Sequence, residues 1–218
     1  RLTWTQLCDA LRSDFEGVQG ERIRLMLSSA VRYCQGGTIA DGWAERITRD
    51  FARMVHEQPM PEGRRLVPGF FSWSRTIEYG ACIGATPNGR KAGKPISHGA
   101  NPNPGFRKDG AVTALSTGIA HAQPGYGNAA PLQLEFDPKM TREEGGVERL
   151  EQLIRTHIDM GGTLININVL DGEKLMKAHE NPDLYPDLVV RVTGFTAYFA
   201  TLSPEFRQLV VDRFLEGL

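Results

Sequence analysis

Few residues in this chain are suited to chemistry, and most of those are placed badly for it. His56, His98, His121, His157 and His179 are scattered without metal-ligand spacing, and no His-Glu-x-x-His occurs, which argues against a metal centre. There is no Gly-x-Ser-x-Gly elbow, and no histidine is set by sequence beside a serine or cysteine nucleophile. Cys8, Cys34 and Cys82 are odd in number and widely spaced, with no Cys-x-x-Cys, so they read as reduced thiols of a cytoplasmic protein rather than a disulfide framework. Gly84-Ala-Thr-Pro-Asn-Gly89-Arg90-Lys91 imitates a phosphate loop. A nucleotide loop needs Gly-Lys-Ser/Thr opening a helix, whereas Gly89 is followed by Arg-Lys and Gly93-Lys94 by Pro95. The stretch reads instead as a basic turn that pins two segments together or touches an anionic group.

The exceptional residue is Gly194. It sits in Leu188-Val-Val-Arg191-Val192-Thr193-Gly194-Phe195-Thr196-Ala-Tyr198-Phe199, a β-branched run that leaves through aromatic residues. A buried strand is a poor place for glycine, which packs nothing and loses backbone entropy, so an isolated case would mark a bulge or a close backbone approach. Asn166 and Asn168 share one face of another buried-looking strand. Buried amides need partners, and nearby loop backbone is the expected one, including the loop that bears Gly194.

Elements of three kinds must position these groups. The first third reads as helical. A capping box at Thr3-x-x-Gln6 opens a helix with Leu7, Ala10, Leu11 and Phe15 on one face. A second helix carries Ile23, Leu27, Ala30, Val31 and Cys34 to Gly36-Gly37, with Cys34 a small core residue. A third starts at Asp41 as N-cap and runs through Ala44, Ile47, Phe51, Met54 and Val55. From Pro59 to about Gly127 the chain is rich in glycine and proline, with turn signals at Pro61-Glu-Gly63, Pro68-Gly69 and Asn101-Pro-Asn-Pro-Gly105. Leu66 to Phe71, Trp73, Ile77 and Tyr79 suggest packed coil with one or two short strands, and Ala111 to Ile119 a short helix or strand. The last third is regular. A strand over Leu132 to Phe136 precedes a helix opened by Thr141-x-x-Glu144, with Val147, Leu150, Ile154 and Ile158 on one face. A strand from Leu164 to Leu170, a helix capped by Asp171 and a strand from Leu188 to Thr193 follow, and Ser203-Pro204 opens the final helix. These spacings predict βαβ units and a parallel sheet.

Composition narrows the class. Charged residues at 23% and hydrophobic ones at 40% are ordinary for a soluble globular protein, and a net charge of −1 offers no electrostatic footprint for nucleic acid or an anionic membrane. No apolar run is long enough to span a bilayer, and no signal-peptide pattern opens the chain.

Several separate segments together resemble the glycyl radical enzymes. They are Val67-Pro68-Gly69-Phe70-Phe71-Ser72, Gly84 through Pro95, Gly161-Gly162 leading into Asn166-Ile167-Asn168-Val169, and His179-Glu180-Asn181-Pro182 through Arg191-Val192-Thr193-Gly194-Phe195. The resemblance implies the C-terminal part of that family's α/β barrel, with parallel βαβ units, N-terminal helices and a long Gly/Pro-rich coil. Residues 1–127 would be barrel and 128–218 the glycine radical domain. It implies a stored radical on Gly194, which no bound cofactor supplies. A radical-SAM activating enzyme, with S-adenosylmethionine and an iron–sulfur cluster, would install it. Arg191, Val192, Phe195, Asn166 and Asn168 would support the radical loop, which should be buried between apolar flanks. A cysteine thiyl would then abstract hydrogen from a small-molecule substrate. The family's Gly-Cys-x-Glu loop is absent from these 218 residues and Cys82 does not fit it, so the cysteine is expected in a missing N-terminal part of the same enzyme. A homodimer is implied, in the cytoplasm. Gly99-Ala100-Asn101-Pro102 and Asn166-x-Asn168-Val169 look closest to the pyruvate formate-lyase branch. The alternatives are a dehydratase, lyase or decarboxylase of the same family, or a stand-alone radical-domain repair module.

Overall fold

The computed structural model describes residues 1–72, 74–103, 112–123, 128–192 and 194–217. Trp73, Gly105, Ala111, Gly127 and Thr193, on which some of the expectations above fall, lie outside those residues. The chain divides into two compact units that alternate along the sequence: residues 1–31 with 75–96, and 32–74 with 97–218.

In the first unit, α1 (Trp4–Arg12) opens with the expected capping box, in which Thr3 and Gln6 satisfy each other's backbone N–H groups. It packs on α2 (Gly17–Ser28) around Ala10, Phe15 and Ile23. The second helix stops sooner than its apolar period predicts. The Ser29 hydroxyl donates to the Met26 carbonyl, a local bond of the kind that competes with helix propagation. Past α3 (Ile39–His56, described below) in sequence, α4 (Thr76–Ala81) is a helical turn in a region expected to be coil with short strands. The basic turn behaves as a pin: Arg90 is buried, and its guanidinium donates to the carbonyls of Ile83, Gly84 and Lys94. Burial lowers its pKa from the ordinary arginine value.

In the second unit, Cys34 lies between the end of α2 at Ser28 and the start of α3 at Ile39, so it is not helical, contrary to expectation. It sits at φ +69°, fully buried, and its N–H donates to Asp41 Oδ1 at 2.6 Å. Asp41 is therefore occupied as the third residue of α3, and Thr38 is its N-cap. Ile47, Phe51 and Met54, expected to face a core, are about half exposed. The next helix, α5 (Val112–Ala122), precedes β1 (Pro131–Phe136) and the short α6 (Pro138–Arg142). Asp137, not Thr141, caps α6; α7 (Gly146–Asp159) begins after Gly145 in the left-handed region. A side chain at Gly146 would place Cβ 2.1 Å from the Met140 carbonyl oxygen, so the tight α6–α7 junction requires glycine there. The buried face of α7 differs from the expected one: Val147 and Ile158 are exposed, while Leu150, Leu153 and His157 pack inward.

The crossover through α7 returns the chain as β2 (Leu164–Val169), which pairs in parallel with β1 from Pro131↔Leu164 to Phe136↔Val169. This is the predicted βαβ unit. One face of the pair carries Leu132, Leu134 and Phe136, packed on Leu115 and Ile119 of α5 and on α7. Beyond β2, Asp171 caps α8 (Gly172–Glu180) as expected. The strand expected over Leu188 to Thr193 is shorter and does not extend the parallel sheet. It is β3 (Val189–Arg191), antiparallel to β4 (Thr196–Tyr198), and the two make a separate hairpin. Pro204 opens α9 (Pro204–Gly217). Leu175, Val190, Val192, Phe199, Val210 and Phe214 form the core that joins α8, α9 and the hairpin.

Candidate functional site

A polar face on the parallel pair forms the floor of the site. Because paired residues of a parallel ladder project to the same side, Gln133 lies beside Asn166 and Glu135 beside Asn168. All six residues of β1 are buried, so alternation does not lead to water: Gln133 and Glu135 face inward like the leucines. The hairpin rests on this face through one amide. Asn168 accepts from the Arg191 N–H at 2.5 Å and donates from Nδ2 to the Arg191 carbonyl at 2.6 Å, imitating a strand partner for β3. The Asn101 amide does the same for Gln133, at 2.8 and 3.0 Å.

This geometry bears directly on Asn168. Asn168→Leu keeps the approximate volume but removes the partner of the Arg191 N–H and one partner of its carbonyl. An orphaned partly buried group costs about 1–3 kcal/mol, so the variant is expected to lose about 2–4 kcal/mol in chemical or thermal unfolding. Asn166→Leu removes only a 3.4 Å contact from Arg191 Nη2, and is expected to cost under about 1 kcal/mol. Equal losses from the two variants would contradict this account.

Gly194 sits at the hairpin tip. The Val192 N–H donates to the Phe195 carbonyl at 2.9 Å across the turn, and the Phe199 N–H to the Leu188 carbonyl at 2.7 Å at its base. At φ +102°, Gly194 occupies backbone space that L side chains rarely adopt. It lines a cavity of about 110 Å³ with Arg191, Asn166, Gln133, Leu164, Pro131 and Phe71. The expected dry setting is realised on one side only. Val190, Val192 and Phe199 are buried, but Val189, Phe195, Tyr198 and Gly194 itself are exposed in this chain. Among the expected supports, Asn168 is bonded to the Arg191 backbone and the Val192 side chain is buried. Arg191 reaches Thr196 Oγ1 at 3.2 Å and Asn166 at 3.4 Å, and Phe195 only flanks the tip.

The sequence reading missed a buried charged group beneath the loop. Arg213 of α9 is 7% exposed. It donates through Nη1 to the Val192 carbonyl and through Nη2 to the Arg191 carbonyl at 2.9 Å, and its Nε lies 2.9 Å from Glu135 Oε1. Burial pushes the Glu135 carboxyl up to about 7, against the opposing pull of Arg213 and the Asn168 amide. His98, also buried, is driven down to about 3 by burial first and then by the Arg213 charge. A carboxylate on a strand buried on both faces must be neutralised or paired, and that rule was the available signal for Glu135. Among the described residues, no group of three or more His, Cys, Asp or Glu is arranged to hold a metal ion, and no helix is long and apolar enough to cross a membrane.

A family model described as "Glycine radical" matches residues 96–200, and one described as "Pyruvate formate lyase-like" matches residues 1–80. The chain belongs to the glycyl radical enzyme family and corresponds to its C-terminal, radical-bearing region. Isethionate sulfite-lyase of Bilophila wadsworthia is 32% identical over 98% of this chain, and formate acetyltransferase of Haemophilus influenzae 36% identical over 63% of it. A solved structure concerned with 1,2-propanediol dehydration in Roseburia inulinivorans superposes with a TM-score of 0.88 at 28% identity, covering 98% of this chain and 28% of that one. The chain spans 26% of the length of the isethionate enzyme and 19% of the formate acetyltransferase.

Proposed function

We propose that Gly194 stores an organic radical on its α-carbon for a glycyl radical enzyme acting on a small molecule. The observation that carries this reading is the placement of Gly194, at φ +102° on the tip of a hairpin whose stem is fastened by Asn168 while the tip faces a cavity. Loss of one α-hydrogen leaves a planar centre delocalised over the adjoining amide nitrogen and carbonyl. A bare α-carbon resists that planarity least. A radical-SAM activating enzyme removes the hydrogen, and the exposed tip gives it access. The radical then passes to a cysteine outside these 218 residues, whose thiyl abstracts hydrogen from substrate. Arg191, Val192, Phe195, Asn166 and Asn168 support the loop, and the enzyme works as a homodimer in the cytoplasm.

Within the family, a specific observation favours a lyase or dehydratase over formate-lyase chemistry. The match to the isethionate lyase runs through nearly the whole chain, whereas the match to formate acetyltransferase covers 63% of it. Hydrogen abstraction next to a carbon–heteroatom bond, followed by loss of the heteroatom group, is the reaction type this reading assigns.

The test is electron paramagnetic resonance on the complete gene product, treated anaerobically with an activating enzyme and S-adenosylmethionine. The expected signal is a doublet split by the one remaining α-hydrogen, collapsing to a singlet when glycine is labelled with deuterium at that carbon. Absence of the doublet, or a splitting indifferent to the label, overturns the reading.

A further inference from the structure

We propose that Arg213 is a positioning residue for the glycine, gripping the two carbonyls that precede the turn and so setting the direction in which the chain enters it. The proposal rests on the reading of Gly194 as the radical site. One guanidinium donates to two consecutive carbonyls, through Nη1 to Val192 and through Nη2 to Arg191 at 2.9 Å, and its Nε lies in ion-pair contact 2.9 Å from Glu135 Oε1. The planar fork fixes two peptide planes at once, and the Glu135 carboxyl packs against its Nε. Opposite it, Asn168 brackets Arg191, and the Val192 N–H is tied to Phe195. The Arg191–Val192 peptide unit is thus held at both its donor and its acceptor, and the next carbonyl, that of Val192, is held by Nη1.

This matters because the radical would delocalise over the Thr193–Gly194 and Gly194–Phe195 peptides, and fixing the two units before them sets the direction in which the chain reaches the α-carbon. Removing and returning the hydrogen also requires the α-carbon in the same place each time. A hydrophobic anchor would hold the strand in depth but leave it free to rotate. Two charge-assisted bonds to consecutive carbonyls remove that freedom.

Arg213→Ala would leave Glu135 buried beside no cation, so the decisive variant is Arg213→Lys. Its single point charge reaches one carbonyl at a time. Arg207→Lys on the same helix, whose contact with the Ala200 carbonyl is long at 3.5 Å, serves as control. Amide hydrogen exchange of residues 188–199 in the unactivated protein is expected to rise about tenfold to a hundredfold in Arg213→Lys, with α5 unaffected. The glycyl doublet should form in lower yield or decay faster. Exchange like wild type overturns the proposal, and so does faster exchange with an unchanged radical, since the grip would then have no bearing on the glycine. A wild type without a doublet would defeat the function assigned to Gly194, while the exchange measurement still decides whether Arg213 holds the loop.

Discussion

Gly194→Ala is expected to abolish the glycyl doublet completely while leaving the protein folded. The two effects separate because different residues carry them. The hairpin stem is fixed by Asn168 and Arg213 and by the burial of Val190, Val192 and Phe199, none of which involves the glycine. The folding cost is confined to placing a Cβ at φ +102°, about 1–2 kcal/mol, or roughly 2–8 °C in thermal midpoint for a chain of this length. The chemical cost is total. An alanine methyl shields the α-hydrogen and crowds both neighbouring peptide groups once the centre flattens, so the radical is neither formed nor stabilised. Unfolding followed by circular dichroism, together with anaerobic spin counting, checks both halves. A doublet surviving in Gly194→Ala would assign the radical elsewhere. A folding loss well beyond the stated range would show that the glycine carries the hairpin, not only its tip.

How much of this was legible in the sequence depends on the range of the interaction. Caps are written within three or four residues, and so Thr3, Asp171 and Ser203 were readable as caps and are caps. Thr38 and Asp41 illustrate the limit. Both are good capping residues three apart, and only the engagement of Asp41 with Cys34 and Thr38 decides that the threonine leads. The parallel β1–β2 unit was visible because two apolar runs flank one helix of crossover length. The pairing of β3 was not, because a β-branched run specifies strand without specifying partner. Its antiparallel return to Thr196–Tyr198 depends on the turn that contains Gly194. Asn166 and Asn168 were singled out because amides in an apolar strand need partners, and Asn168 has the loop backbone that was expected. Arg213 was hidden in a final helix recognised only by its Ser203-Pro204 start. Its partners lie on β1 and β3, and only the fold brings them together.

The same buried group gives the last prediction, a dependence of stability on pH that Glu135→Gln should reverse. In the folded protein the Glu135 carboxyl titrates near 7, against an ordinary value of 4.5. Between those values the folded state keeps a proton that the unfolded chain has released. Its contribution to stability is therefore complete below about pH 4.5 and is lost as pH rises through 7. At 1.36 kcal/mol per pKa unit the loss is about 3 kcal/mol. His98 works in the opposite sense. Driven down to about 3 from 6.5, it stays neutral while the unfolded chain takes up a proton, so its contribution grows with pH up to 6.5 and then levels. In wild type the two opposing slopes nearly cancel between pH 4.5 and 6.5, and stability falls only towards 7. In Glu135→Gln the His98 slope stands alone, and stability rises to 6.5 and holds. Removing the carboxylate from beside Arg213 adds an offset of its own, so the quantity to follow is the change in the wild-type-minus-variant difference with pH. Unfolding measured from pH 4 to 8 should show that difference moving by about 3 kcal/mol in favour of glutamine, roughly 6–12 °C in midpoint. Parallel profiles would mean that the Arg213 charge outweighs burial, so that Glu135 is ionised throughout this range and the carboxylate under the glycine loop is a permanent partner of Arg213.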